Sequence, residues 1–315
     1  MQDMTAISRR KHPRHDAWFS ELSLGASSWS KLDGAEGDRT ALAVTERAWQ
    51  IGIRYFDTAP YYGSGLCERR LGSGLAWKDT GDYLLSTKVG IDLDPFGQRK
   101  PVAHHYPHYA PFTPVCDYSR DGIRRSFETS LHRLGIVSCD IAYMHGLSIC
   151  DGGIDAALGT GMPALLELRD AGHVRMVGVG ANSPAIAMAF LERYDIDVLL
   201  FAGGFTLTDH AGAGPVVEEC AKRNIGIIAA SPFANGAYFA AENTADRQRL
   251  QVRCAEYGIS DTAAVIQFGL NFPSVLSVLW STTKPENVDR TVAALNETIP
   301  AAFWERLRED GALLF

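Results

Sequence analysis

The sequence predicts an α/β protein built as a single (β/α)8 TIM barrel. Three observations point to it. From Glu21 onward, short apolar runs alternate with longer amphipathic ones. Strands that alternate with helices require a parallel sheet, because a parallel pair cannot be joined by a tight turn. Eight such pairs in about 300 residues suggest a closed barrel rather than an open sheet. Several runs also stop abruptly on a polar residue, at the end where such a barrel carries its chemistry.

The first strand, 22–24, ends on Gly25, and residues 38–50 align Ala41, Val44, Ala48 and Trp49 on one side of a helix. The second strand, 53–56, stops on Asp57. Pro60, Gly63 and Gly65 then break regular structure before a helix at 66–77. The third strand, 83–86, runs into Thr87 and Lys88. A stretch rich in Pro, His and aromatic residues follows at 89–117. A loop of that length suggests a functional cover, so we expect a substrate lid. A helix at 119–134 opens on Ser119 and ends at Gly135. Strand four, 140–144, ends on His145, and a helix follows at 162–171. Strand five, 174–179, ends Gly180-Ala181-Asn182, and the next helix opens on Pro184. Strands six, seven and eight are expected at 198–201, 225–229 and 275–279, with helices at 215–223, 244–257, 261–271, 286–295 and 300–310. No break in composition marks a second domain. Residues 1–18 read as a flexible N-terminal arm, and 19–315 as the barrel.

An apolar fraction of 46% supports a sizeable core. A net charge of −7 argues against a nucleic-acid or anionic-membrane surface, and no apolar run is long enough to span a bilayer. The N-terminus lacks the apolar run of a signal peptide. None of the six cysteines forms a C-x-x-C pair, so reduced thiols in a cytoplasmic protein are expected, without a disulfide or a zinc site. His104, His105 and His108 read as part of a polar lid, and no metal is expected.

Asp57, Tyr62, Lys88, His145 and Asn182 all fall at or just beyond strand ends. Each has an ordinary structural reading: a helix cap for Asp57 or Asn182, a solvated charge for Lys88, a core histidine for His145, packing for Tyr62. Jointly they bring an acid, a phenol, an ammonium and an imidazole to one mouth. A phenol is a weak acid, with a pKa of about 10. A nearby ammonium would favour its phenolate, and an aspartate would keep that ammonium charged. The set passes a proton to or from a carbonyl or alcohol oxygen but stores no hydride, which a nicotinamide cofactor would supply.

The stretches 52–72 (GIRYFDTAPYYG-x-G-x-x-E-x-x-LG), 84–90 (LLSTKVG), 126–146 (S-x-x-x-LHRLG-x-x-x-x-DIAYMHG), 177–182 (VGVGAN) and 227–236 (IIAASPFANG) resemble the aldo-keto reductases. The resemblance implies a catalytic tetrad of Asp57, Tyr62, Lys88 and His145, with Tyr62 moving the proton. It also implies NAD(P) lying extended across the mouth, on Asn182, Ser231, Phe233, Asn235, Gly236, Ser281, Thr282, Asn287 and Arg290. The chain departs from the family where Ala181, Ala202 and Ala230 replace a serine, a glutamine and an aromatic residue that often hold the nicotinamide. Ser281, Thr282 and Asn287 occupy places where NADP-preferring members carry basic residues; Lys284 and Arg290 lie out of register. NAD is therefore expected over NADP, because a phosphomonoester wants charge-assisted partners.

Within the family, the stretches RYFDTAPYYG, DYSRDGIRRS and LLFAGGFTLTD look most like the D-threo-aldose (L-fucose) 1-dehydrogenases, L-galactose dehydrogenases and pyridoxal 4-dehydrogenases. The expected reaction is oxidation of an aldose at C1 to the lactone. Pyridoxal oxidation, generic aldehyde or ketone reduction, and a nicotinamide-binding regulatory subunit are the alternatives. Trp29, Tyr61, Phe112 and Trp280 are candidates for the substrate wall, or for packing at the rim. The partner is a small sugar or aldehyde, and the oligomeric state is not legible.

Overall fold

A computed structural model describes residues 7–103, 106–240 and 244–313. An antiparallel hairpin of β1 (Arg9–Lys11) and β2 (Trp18–Ser20) comes first. The barrel begins with β3 (Leu22–Gly25), β4 (Tyr55–Asp57) and β5 (Leu84–Val89). A second antiparallel hairpin, β6 (Ile91–Asp94) and β7 (Thr113–Cys116), interrupts it. The barrel resumes with β8 (Cys139–Met144), β9 (Val174–Ala181), β10 (Val198–Phe201), β11 (Gly226–Ala230) and β12 (Val275–Trp280). All neighbouring barrel strands are parallel, and β12 pairs with β3 to close the ring. Among the described residues, no helix is long and apolar enough to cross a membrane.

Helices α1 (Gly34–Gln50), α2 (Leu66–Leu75) and α3 (Arg120–Leu134) begin the outer layer. Helix α3 shows why the sequence stops and starts where it does. The Ser119 hydroxyl accepts from Gly122 N at 3.1 Å, and Gly135, at φ 70°, ends the helix in the left-handed region. Alternation along the strands divides the core in two. One set of side chains packs against the helices. The other, including Tyr55, Leu84, Ile141, Tyr143, Met176 and Leu279, fills the barrel interior.

The expected N-terminal arm is instead a seal over the barrel's base. Phe19 is fully buried, with its ring 5.1 Å from that of Tyr55 in the interior. Arg10 donates to the backbone carbonyls of Leu270 and Val275, each at 2.9 Å. His12 Nε2 lies 2.9 Å from Asp197 O. The basic residues that read as a mobile tail are the donors this seal needs. Residues 1–6 lie outside the described residues.

The described residues of the insertion, 89–103 and 106–117, are likewise held in place. Asp92 and Asp117 hold Arg99 and Arg125 between the hairpin and α3, and Asp94 caps the turn by accepting from the backbone of Phe96, Gln98 and Arg99. Cys116 on β7 is disulfide-bonded to Cys150 in the loop after β8, with Cα atoms 5.9 Å apart. This overturns the expectation of six free thiols. The other four cysteines are free and buried.

Candidate active site

Three strands supply the site through the same inward-facing register. On β4 the inward residues are Tyr55 and then Asp57; on β5, Ser86 and then Lys88; along β8, Tyr143 and then His145 just past its end. They form two polar layers. In the lower one, the Tyr55 hydroxyl lies 3.0 Å from both Ser86 Oγ and the Tyr143 hydroxyl, and Ser86 Oγ donates to Asp57 Oδ1 at 2.7 Å. In the upper one, Lys88 Nζ donates to Asp57 Oδ2 at 2.6 Å and to Thr58 O at 2.8 Å. Asp57 and Lys88 are 2% and 1% exposed, so this ion pair is cut off from water. Burial pushes Asp57 up and Lys88 down, while each holds the other charged. Sequence reasoning missed Tyr55, Ser86 and Tyr143. The signal was available: each lies two residues before a candidate, on the same face of its strand.

Tyr62, in the loop after β4, is half-buried above this pair, with Lys88 Nζ 4.8 Å from its ring centroid. The ammonium faces the ring, and burial, then the charge of Asp57, raises the phenol well above its ordinary value. The expected lowering by Lys88 is not found, and Tyr62 stands as a protonated acid. Its ring lies 5.9 Å from that of His145. Burial and then the Lys88 charge push His145 down to about 3, so its imidazole is neutral. His145 Nδ1 has no hydrogen-bond partner among the described residues.

The structure sorts the candidate wall. Tyr61 is at the mouth: its ring is 6.3 Å from His145 and its hydroxyl donates to Ala103 O at 2.7 Å. Trp29 is not a wall residue. It is fully buried, and its Nε1 donates to Thr282 O at 2.9 Å, which fixes the turn after β12. Trp280 also packs on the helix side, because alternation sends Leu279 inward instead. Phe112 is half-buried in the insertion and makes no ring contact with the mouth tyrosines among the described residues. His108 meets Asp33 at 3.2 Å. His104 and His105 lie outside the described residues.

The candidate cofactor residues form an edge across the ends of β9, β11 and β12. Asn182 is exposed and donates to Ser148 Oγ at 2.7 Å. After β11, Ser231, Ala234, Asn235 and Gly236 all have positive φ; Ser231 Oγ donates to Asn235 Oδ1 at 3.0 Å, and the Phe233 ring lies 5.1 Å from that of Phe239, tilted by 37°. Non-glycine residues in the left-handed region store strain, and such strain clusters at ligand clamps. After β12, Ser281 Oγ lies 2.5 Å from Ser28 Oγ. Asn287 donates to Thr282 Oγ1 at 3.1 Å, and Arg290 donates to Asn287 Oδ1 at 3.4 Å. Ser231 N donates to Leu279 O at 2.9 Å, so the last two loops are tied together. This donor set of amides, hydroxyls and one guanidinium suits an extended dinucleotide.

Comparison with known proteins identifies the family. Residues 21–310 match the model of the Aldo/keto reductase family. The chain is 34% identical to a D-threo-aldose 1-dehydrogenase from Pseudomonas sp, over 91% of this chain and 93% of that one. It is 31% identical to a pyridoxal 4-dehydrogenase from Microbacterium luteolum, over 98% and 99%. In fold it is similar to an aldo-keto reductase from Bacillus halodurans in its holo form, with a TM-score of 0.77 over 96% of both chains at 21% identity. With its closed parallel barrel and a family match that spans nearly its whole length, this chain belongs to the aldo/keto reductase family of oxidoreductases.

Proposed function

We propose that the protein is an NAD-dependent aldose 1-dehydrogenase that oxidises the C1 hydroxyl of a cyclic aldose to a lactone. The observation that carries this reading is the half-buried Tyr62 above a dry Asp57–Lys88 pair and beside a neutral His145. The nicotinamide, when bound, supplies the hydride acceptor for C1. Tyr62 first gives its own proton to solvent and then, as the phenolate, takes the hydroxyl proton as the C1–H bond gives up its electron pair. Lys88 uses two of its three donors on Asp57 and Thr58, which leaves the third for the phenolate. His145, uncharged, orients the reacting oxygen without competing for its proton. In the reverse direction the protonated Tyr62 is ready as it stands.

Asn182, Ser231, Phe233, Asn235, Gly236, Ser281, Thr282, Asn287 and Arg290 would hold the dinucleotide. Ala202 and Ala230 give the nicotinamide end neither an amide nor a stacking ring, so Asn182 carries more of that grip. The neutral Ser281, Thr282 and Asn287 favour NAD. The insertion 89–117 serves as the lid. A second reading, pyridoxal oxidation, rests on the aromatic mouth and on the near-complete alignment with the pyridoxal 4-dehydrogenase. NADH formation from L-fucose, L-galactose, D-arabinose and pyridoxal tests both. The aldose reading expects turnover of at least one sugar, with pyridoxal at least tenfold slower in kcat/KM. Turnover of pyridoxal alone reverses the order. Cofactor binding with no NADH from any of them favours a regulatory subunit.

A further inference from the structure

The insertion brings a third tyrosine to the mouth. Tyr106 has its ring edge-on to both Tyr61, at 5.3 Å, and Tyr62, at 6.0 Å. The segment that carries it is pinned on both sides. Upstream, the Tyr61 hydroxyl donates to Ala103 O at 2.7 Å. Downstream, His108 N donates to Ser30 O at 3.1 Å and Ala110 N to Gly63 O at 2.9 Å. Gly63 has φ +59°, and a Cβ there would stand 3.0 Å from His108 O, so the seat is built for close approach of this segment. Tyr106 is therefore a fixed part of the mouth.

Its hydroxyl, like that of Tyr62, has no hydrogen-bond partner among the described residues. Burial, and then the neighbouring phenols of Tyr62 and Tyr61, push the Tyr106 phenol upward, so it stays an O–H donor. Tyr106 is half-buried and its hydroxyl is not sealed from solvent, so a ligand oxygen can take the place water has there. With Tyr62 at the reacting oxygen, a second phenol beside it can reach a substrate oxygen one carbon away.

We propose that Tyr106 is a specificity-determining residue that contacts the substrate and hydrogen-bonds the hydroxyl on the carbon next to the one oxidised. This rests on the reading of Tyr62 given above and deepens it: the substrate class is the α-hydroxy aldehyde or its cyclic form, with an oxygen at C2. A plain aldehyde would leave the Tyr106 hydroxyl unmatched. A site built to bond a hydroxyl discriminates strongly against an analogue that lacks it, because its own polar group is then left unpaired.

The test compares Tyr106→Phe with the wild type on two substrate pairs. One pair, oxidised with NAD, is D-arabinose and its 2-deoxy form, 2-deoxy-D-ribose. The other, reduced with NADH, is glyceraldehyde and 3-hydroxypropanal, which lacks only the C2 hydroxyl. The ring contacts survive in phenylalanine, so the fold is kept, and an unchanged melting temperature verifies it. We expect kcat/KM to fall roughly 10- to 100-fold on D-arabinose and glyceraldehyde, mainly through KM, and less than about threefold on the two deoxygenated partners. Equal losses within a pair would assign Tyr106 a purely structural role, and no loss on either member would remove it from the site; both overturn the proposal. If D-arabinose is inert but the glyceraldehyde pair discriminates, the aldose reading fails and Tyr106 stands. If all four are inert, both fall.

Discussion

Strand β5 separates two buried ion pairs that differ in what surrounds them. Inside the barrel, Lys88 meets Asp57; on the helix side, the adjacent Thr87 donates to Glu68 Oε1 at 2.7 Å, and Arg133 of α3 donates to Glu68 Oε2 at 2.5 Å. Glu68 is fully buried. Arg133 also reaches Ser130 Oγ at 3.0 Å, so this outer network is closed and staples α2, β5 and α3 together. The inner network is open: the Tyr62 hydroxyl and His145 Nδ1 end without partners among the described residues. Completed polar networks rigidify a fold, whereas incomplete ones at a mouth wait for a ligand. The comparison is sharpened by changing one side at a time.

The largest effect is expected inside. Tyr62→Phe keeps the ring and removes only the proton carrier. We expect kcat to fall by about 10²–10⁴-fold, with the melting temperature nearly unchanged. Steady-state kinetics beside thermal denaturation reads both; undiminished kcat would remove Tyr62 from the chemistry. The outer pair should show the inverse pattern. Arg133→Met leaves Glu68 buried without its cation, which costs about 3–5 kcal/mol of stability. Below its melting point that variant should retain kcat within a few-fold. A large kcat loss with unchanged stability would mean the outer network is not merely structural.

How much of this was legible follows from the same alternation. The eight strands and the four mouth residues could be read because apolar runs stop on polar residues. The third strand read short, as 83–86, because Thr87 and Lys88 look like a loop; the structure extends it through Val89, since one polar side chain serves each ion pair. Trp29 and Trp280 were misassigned because aromatic character says nothing about which side of a strand or turn a ring takes. The basic N-terminus read as an arm because its acceptors are backbone carbonyls at distant strand starts. The Cys116–Cys150 bond joins an insertion to the loop after β8, 34 residues on, and no spacing rule announces it.

That disulfide gives the next test. Cross-linking across 34 residues limits the unfolded chain by about 3–4 kcal/mol in the chain-entropy account. Cys116→Ser should therefore lower stability by up to that amount. It should also raise KM more than it lowers kcat, because the bond ties the insertion to the loop that follows His145 and carries Ser148, the partner of Asn182. Denaturant midpoints and kinetics on the oxidised and thiol-reduced protein measure this. Unchanged KM would show that the insertion keeps its seat on the Gly63 and Ser30 contacts alone.

Two histidines extend the contrast between satisfied and open groups to pH. His12, sealed in the base, has both ring nitrogens engaged: Nδ1 accepts from Arg14 N and His15 N, and Nε2 therefore donates to Asp197 O. Burial lowers it to about 4, and His145 at the mouth to about 3. A histidine whose folded pKa is depressed binds its proton more readily when unfolded. Its neutral form thus supports the fold above about pH 6.5, and that support is lost as pH falls toward the folded value. We expect each to remove on the order of 1 kcal/mol between pH 7 and 5.5, measured by denaturant titration at the two values. His12→Asn should flatten this acid slope without altering the pH profile of kcat. His145→Asn should flatten it equally, but it should also lower kcat at every pH, because the imidazole it removes is the one proposed to orient the reacting oxygen. If the two variants differ only in stability, that imidazole has no catalytic consequence and the mouth is no more open than the base.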